Sequence, residues 1–235
     1  MSMTVHSESF QAFLNRVAPV AQTFLCSEIK LHLGVDLDQT WSEHEQYVQE
    51  QGLPAPYWSQ VWPGGQGLAR YILDNPQCVA GLRVLDVGSG SGLCAIAAAK
   101  AGARTVQVAD IDMHACMAVM ENAHVNGVQL SAICSDLIGT PGDQWDVVLA
   151  ADLWYERFLA LRMTTWLKVL SQSGLKVFLG DLGRAFLPRQ GLHELAQYTV
   201  PDAQGQKQGG MSLVRVFEFK PGMKLQNEQP IRAMG

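Results

Sequence analysis

Apolar and polar positions alternate along the middle of this chain in short and long blocks. Short apolar runs at 83–87, 105–109, 130–134, 146–151 and 175–180 predict strands. The intervening stretches predict helices over 92–101, 113–125 and 156–171. A repeating strand–helix rhythm implies an α/β fold built on a doubly wound, parallel sheet, with helices on both faces. Two extended runs follow, Leu192 to Val200 and Met211 to Phe219, separated by the polar, glycine-rich Pro201 to Gly210. They predict a β-hairpin with a long loop. Residues 220–235 read as a frayed terminus.

The front of the chain is less regular. Ser9 to Leu25 has helical spacing through Phe10, Phe13, Leu14, Val17 and Val20, interrupted at Pro19. Glu28 to Leu33 fits a short strand or a turn. Residues 36–53 are polar and acidic, with Trp41 and Tyr47 as anchors. Pro54 to Gly67 gathers three prolines, three glycines and three large aromatics. Such a segment resists regular structure, and a helix is expected only from Gln66 to Leu73. The expected organisation is an extension over 1–54, a domain over 55–220 and a tail over 221–235.

Chemistry enters at Val84 to Gly92. The run Val84-Leu85-Asp86-Val87-Gly88-Ser89-Gly90-Ser91-Gly92 is a strand ending in a G-x-G-x-G turn that opens a helix. Glycine permits positive φ and close approach of a ligand. The helix start directs free N–H groups toward that ligand. A dinucleotide fingerprint needs G-x-G-x-x-G, whereas here the third glycine comes one residue early and Leu93 takes its place. Asp86 before the turn would repel a pyrophosphate and suit a cation. Asp110, ending the next run, is placed for a ribose diol. The cofactor that fits a sulfonium, an ammonium and a ribose is S-adenosylmethionine, leaving S-adenosylhomocysteine as product. Asp86, Asp110, Asp136 and Asp152 each fall at or just after a strand, so four acids are expected on one sheet edge, although acids there also cap helices.

Composition narrows the partners. The 235 residues are 48% hydrophobic and 17% charged, which suits one large core. No apolar run reaches the roughly 18 residues of a membrane span. The first twenty residues hold one basic residue, Arg16, and no secretory or transit pattern, so the expected location is the cytoplasm, or the mitochondrial matrix in a eukaryote. Cys26, Cys78, Cys94, Cys116 and Cys134 form no C-x-x-C and read as reduced thiols. The histidines lack metal-site spacing with them, so no metal is expected. A net charge of −5 without a basic run argues against nucleic acid as a partner.

Four blocks then carry a family resemblance: Tyr57-Trp58-x-x-Val61-Trp62-Pro63-Gly64-Gly65-Gln66, Val84 to Gly92, Ala109-Asp110-Ile111-Asp112, and Asp152-Leu153-Trp154-Tyr155 followed by Gly180-Asp181-Leu182-Gly183-Arg184. Over roughly residues 55–220 the chain resembles class I, seven-stranded S-adenosylmethionine-dependent methyltransferases. The four blocks together look like the lysine methyltransferases of the electron transfer flavoprotein β-subunit. Relatives carry a proline where this chain has Leu182.

The resemblance implies a Rossmann-like sheet with an antiparallel C-terminal strand, and a monomeric enzyme acting on that β-subunit. It implies a cofactor site of Trp62, Gly64, Asp86, Gly88, Ser89, Gly90, Gly92, Asp110, Ile111, Asp136, Leu137 and Asp152. It also implies a catalytic set in which Asp152 orients the incoming amine while Tyr155 and Trp154 wall the lysine channel. Plainer readings stand beside these: Asp152 as the cap of the helix at 156–171, Trp154 and Trp62 as core anchors, Asp136 as a turn acid, Asp112 as a helix cap and Arg184 in a surface ion pair. Alternative activities are methylation of another protein, such as a ribosomal protein, or of a small amine or hydroxyl. A cofactor-binding regulator without chemistry is a third class. The D-L-W-Y block lacks the prolines common in nucleobase-amine enzymes.

Overall fold

Alternate residues of each central strand point into different cores. Val84 packs with Val147, Leu149 and Phe178 on one side, while Leu85 and Val87 pack with Val148, Ala150, Val177 and Leu179 on the other. This is the two-residue period of a sheet covered on both faces. The computed structural model describes residues 8–50, 52–201 and 210–220. Residues 202–209 of the loop expected over Pro201 to Gly210, and the tail expected over 221–235, lie outside the described residues.

In chain order the central elements are α3 (Pro63–Asp74), β3 (Arg83–Val87), α4 (Leu93–Lys100), β4 (Thr105–Asp110), α5 (Met113–Val125), β5 (Ser131–Cys134), β6 (Val147–Ala151), α6 (Arg157–Gln172), β7 (Lys176–Asp181), β8 (Leu192–Pro201) and β9 (Met211–Phe219). The strands form one seven-stranded sheet in the order β5-β4-β3-β6-β7-β9-β8. Pairs from β5 through β7 are parallel, and β9 runs antiparallel to both β7 and β8. Strand order reverses between β3 and β6, the place where ligands of open α/β sheets bind. Helices α3, α4 and α5 bury Leu68, Ile96 and Val119 on one face, and α6 buries Met163, Leu167 and Leu170 on the other.

Before the sheet come α1 (Phe10–Val17), β1 (Val20–Gln22), β2 (Lys30–His32) and α2 (Leu37–Val48). The expected helix through Leu25 stops at Val17, because Pro19 lacks the N–H that would continue it, and β1 pairs antiparallel with β2 instead. The polar stretch 36–53 contains a helix, α2, capped by Asp36, with Trp41 bonded to the Leu53 carbonyl at 2.9 Å and Tyr47 stacked on Phe13. Cys26, Ile29 and Leu31 enter the same hydrophobic cluster as α3 and α4, so this front segment shares the core of the sheet. Asn122 on α5 ties the two together. Its Oδ1 accepts the His32 N–H at 2.7 Å, and its Nδ2 donates to the Ser91 carbonyl at 2.9 Å.

The segment expected to resist structure is ordered. A 3-10 turn covers Tyr57–Ser59, and α3 starts at Pro63 rather than at Gln66. Proline is pre-organised for the first helical position. Gly64 after it is required because it sits backbone to backbone against Gly180.

Candidate active site

The glycine turn follows β3 and is held from two sides. Gly88 N–H donates to the Ala109 carbonyl at 2.8 Å, and Gly90 N–H donates to Asp110 Oδ2 at 3.0 Å. Gly92 takes φ 79° at the head of α4, and a Cβ there would lie 2.8 Å from Val119 Cγ1, so only glycine fits. Gly90 differs: a Cβ on it would meet no atom within 4 Å. The turn therefore opens onto free space at Gly90. Beside it the Ser89 hydroxyl is buried and, among the described residues, has no hydrogen-bond partner. An unpartnered buried hydroxyl next to an open glycine turn fits a polar ligand laid across the loop.

Asp110 accepts from Gly90 and, through Oδ1, from the Asp112 N–H at 3.1 Å. It is half-buried, and that burial raises its carboxyl pKa against the pull of those N–H groups. Asp112 caps α5. Ile111 between them is exposed.

Asp86 is not on the open side. It is buried beneath the turn, and Oδ2 accepts the Ala95 N–H of α4 at 3.0 Å. Burial drives its pKa up to about 8, with the Ala95 bond opposing and the Asp110 charge adding. In this arrangement the acid pins α4 to the end of β3. Asp136 lies on an exposed loop. Its Oδ1 accepts the Ile138 N–H at 2.9 Å, closing a turn, and its Oδ2 pairs with Arg162 at 2.6 Å. Leu137 next to it is half-buried against the second cluster.

Asp152 follows β6 with φ 61°, a left-handed backbone unusual for a residue with a side chain. Its N–H donates to the Gly180 carbonyl at 2.9 Å. Oδ2 accepts the Gly65 N–H at the start of α3 at 2.8 Å, and Oδ1 pairs with Arg184 Nη1 at 2.5 Å. Asp152 does not cap α6; Glu156 does, accepting from Phe158 and Leu159. Burial raises the Asp152 pKa, Arg184 and the Gly65 bond lower it, and the Asp181 charge raises it again. Asp181, fully buried at the end of β7, accepts Arg184 Nη1 at 2.8 Å. Arg184 is thus a bridge between two acids and not a surface ion pair.

Trp154 and Tyr155 part company. Trp154 is fully buried, packs in the α6 core and donates to Thr164 Oγ1 at 3.1 Å. Its expected place in a channel wall is corrected, since a side chain sealed in the core meets no substrate. Tyr155 is 56% exposed and lies 6.3 Å from the Tyr57 ring, which in turn lies 5.6 Å from Trp62 at 70°. Trp62 Nε1 donates to the Tyr57 carbonyl at 3.0 Å, so the trio holds together. Gly64 lies under this rim, where a Cβ would come 2.6 Å from Asp152 Oδ2. The sequence reading missed Tyr57 and Asp181 as site residues. Each sits in a block already conspicuous, the aromatic-rich stretch before Pro63 and the run Gly180 to Arg184.

Comparisons with known proteins place this geometry among methyltransferases. Residues 71–161 match the family model of ribosomal protein L11 methyltransferase (PrmA). The electron transfer flavoprotein beta subunit lysine methyltransferase of Danio rerio is 37% identical over 201 residues, covering 83% of this chain and 77% of the relative. The protein of the same name in Homo sapiens is 34% identical over 218 residues, covering 90% and 82%. A solved structure from Thermoplasma acidophilum superposes with a TM-score of 0.53 at 15% identity, covering 68% of this chain and 91% of that one, a likeness of fold.

Proposed function

Because the chain belongs to the electron transfer flavoprotein beta subunit lysine methyltransferase family, we propose that it methylates lysine side chains of that β-subunit, using S-adenosylmethionine as donor. The observation that carries the proposal is Asp152, held on both carboxylate oxygens at the switch point of the sheet, with Tyr57, Trp62 and Tyr155 close by.

When bound, the cofactor supplies an electrophilic methyl on a sulfonium. The chain's own residues do the rest. Gly90 leaves room above the turn, Ser89 offers an unpaired hydroxyl, and Asp110 offers a carboxylate at the end of β4 for the ribose diol. A carboxylate has about four acceptor positions. With two taken by Gly65 and Arg184, Asp152 can still accept from an incoming ammonium. The aromatic faces attract that cation. A lysine with a free pKa of about 10.4 must reach the methyl as the neutral amine; its proton passes to solvent water at the exposed rim, and the positive charge of a bound sulfonium would lower the amine's pKa. Alignment of the lone pair then supplies most of the rate.

The ribosomal-protein reading has less support. The matching family model spans 71–161, which leaves out Tyr57 to Gly65 and Asp181 to Arg184. The test is methyl transfer from labelled S-adenosylmethionine to purified electron transfer flavoprotein, read by mass spectrometry of the β-subunit. Methylated lysines with the wild type, reduced about 100-fold or more in Asp152→Asn, are expected. Cofactor binding without transfer to the flavoprotein would overturn the substrate.

A further inference from the structure

Asp152 and Asp181 leave the carboxyl ends of adjacent strands, and both carboxylates are buried. One nitrogen of Arg184 serves both. Nη1 lies 2.5 Å from Asp152 Oδ1 and 2.8 Å from Asp181 Oδ2. Asp181 Oδ1 accepts the N–H groups of Gly183 and Arg184 at 2.7 Å each, so the acid also shapes the turn that delivers the arginine. Gly65 N–H fixes the other oxygen of Asp152. Two carboxylates against one guanidinium leave a single uncompensated negative charge in a place largely closed to water. Such a charge is costly until a cation reaches it.

We infer that Arg184 is a positioning residue: shared between Asp152 and Asp181, its single positive charge holds the pair at one net negative charge, which Asp152 presents to the substrate's ammonium. The inference rests on the lysine methyl-transfer reading above. Arg184 need not touch the substrate. Without its guanidinium two like charges would face each other, and burial together with the Asp181 charge would leave Asp152 holding a proton. A protonated Asp152 no longer attracts an ammonium.

The experiment follows the Asp152 carboxyl directly by carbon NMR of the full-length, aspartate-labelled protein, alongside the pH profile of kcat with the flavoprotein. In Arg184→Gln the Asp152 titration and the acid limb of kcat should rise together by about 1–3 pH units, with cofactor affinity unchanged. Arg184→Lys should restore both, since it returns the charge. Asp181→Asn keeps the oxygen that accepts from Gly183 and should move the titration the opposite way, to lower pH. An Asp152 titration unmoved in Arg184→Gln overturns the inference. If that variant does not fold, Asp181→Asn decides, and a titration that stays or rises there overturns it equally. Failure of the wild type to methylate the flavoprotein would instead count against the substrate, while the NMR titrations would still judge Arg184.

Discussion

Gly64 and Gly180 meet backbone to backbone where α3 lands on β7, so that a Cβ on either would overlap the carbonyl oxygen of the other. Neither carbonyl can swing aside as a side-chain tip could. Gly64→Ala should therefore lift the start of α3, break the Gly65–Asp152 bond and cost about 1–3 kcal/mol of stability. Gly65→Ala is the contrast. Its Cβ would meet nothing within 4 Å, so stability should stay within about 0.5 kcal/mol. Denaturant unfolding of both variants checks the pair.

Adjacent aromatics should separate cleanly. Trp154→Ala empties a fully buried site and should destabilise by about 3–5 kcal/mol. Tyr155→Ala should leave stability within about 0.5 kcal/mol. Its loss should appear in kcat/KM for the protein substrate, by about tenfold, the worth of a partly desolvated cation–aromatic contact. Tyr155→Phe, which keeps the ring, should recover most of it.

The two acids beside the glycine turn should behave differently in cofactor titrations at pH 7. With a pKa near 8, Asp86 is mostly protonated there. Asp86→Asn should then leave cofactor affinity within about threefold, or roughly 0.7 kcal/mol. Asp110→Ala removes the acceptor that holds Gly90 as well as the carboxylate facing the ribose position, and affinity should fall about tenfold or more. Calorimetric binding of S-adenosylmethionine distinguishes the outcomes. A large loss in Asp86→Asn would restore the acid to direct contact with the ligand.

His44 should make stability sensitive to acid. It is buried among Phe13, Trp58 and His114, and neither ring nitrogen has a hydrogen-bond partner among the described residues. Burial first and the His114 charge second lower its pKa from 6.5, against opposing pulls from Asp112 and Glu45. The folded state thus binds its proton less readily than the unfolded chain. Its contribution is present above pH 6.5 and is lost as pH falls from there through the lower folded value. Tm measured from pH 7.5 to 5 should fall, and should fall less in His44→Phe than in the wild type.

Strand and helix positions in the central region were legible because strands covered on both faces read as short continuous apolar runs, set off by turns from the longer helical stretches. The helix read over 113–125 is α5 itself. The start of α3 was not, since Pro63-Gly64-Gly65 looks like a breaker until Gly180, far along the chain, is known to press against it. Trp154 and Tyr155 could not be told apart, because sequence adjacency does not say which ring a loop turns inward. Asp86 read as an acid facing a cation at a strand end, and only the first turn of α4 shows where its carboxylate points. The bridge from Arg184 to Asp152 spans 32 positions and depends on β6 and β7 lying side by side, which no local pattern encodes.

Asn122 gives one of these arrangements a reach beyond its own neighbourhood. Its carboxamide grips the His32 amide with one end and the Ser91 carbonyl with the other. For the His32 hydrogen to exchange with deuterium, that grip must loosen, and the same loosening unsettles the turn around Gly90. Whatever stiffens the turn should slow exchange at His32, so an isotope clock near the front of the chain reads the occupancy of a site built from its middle.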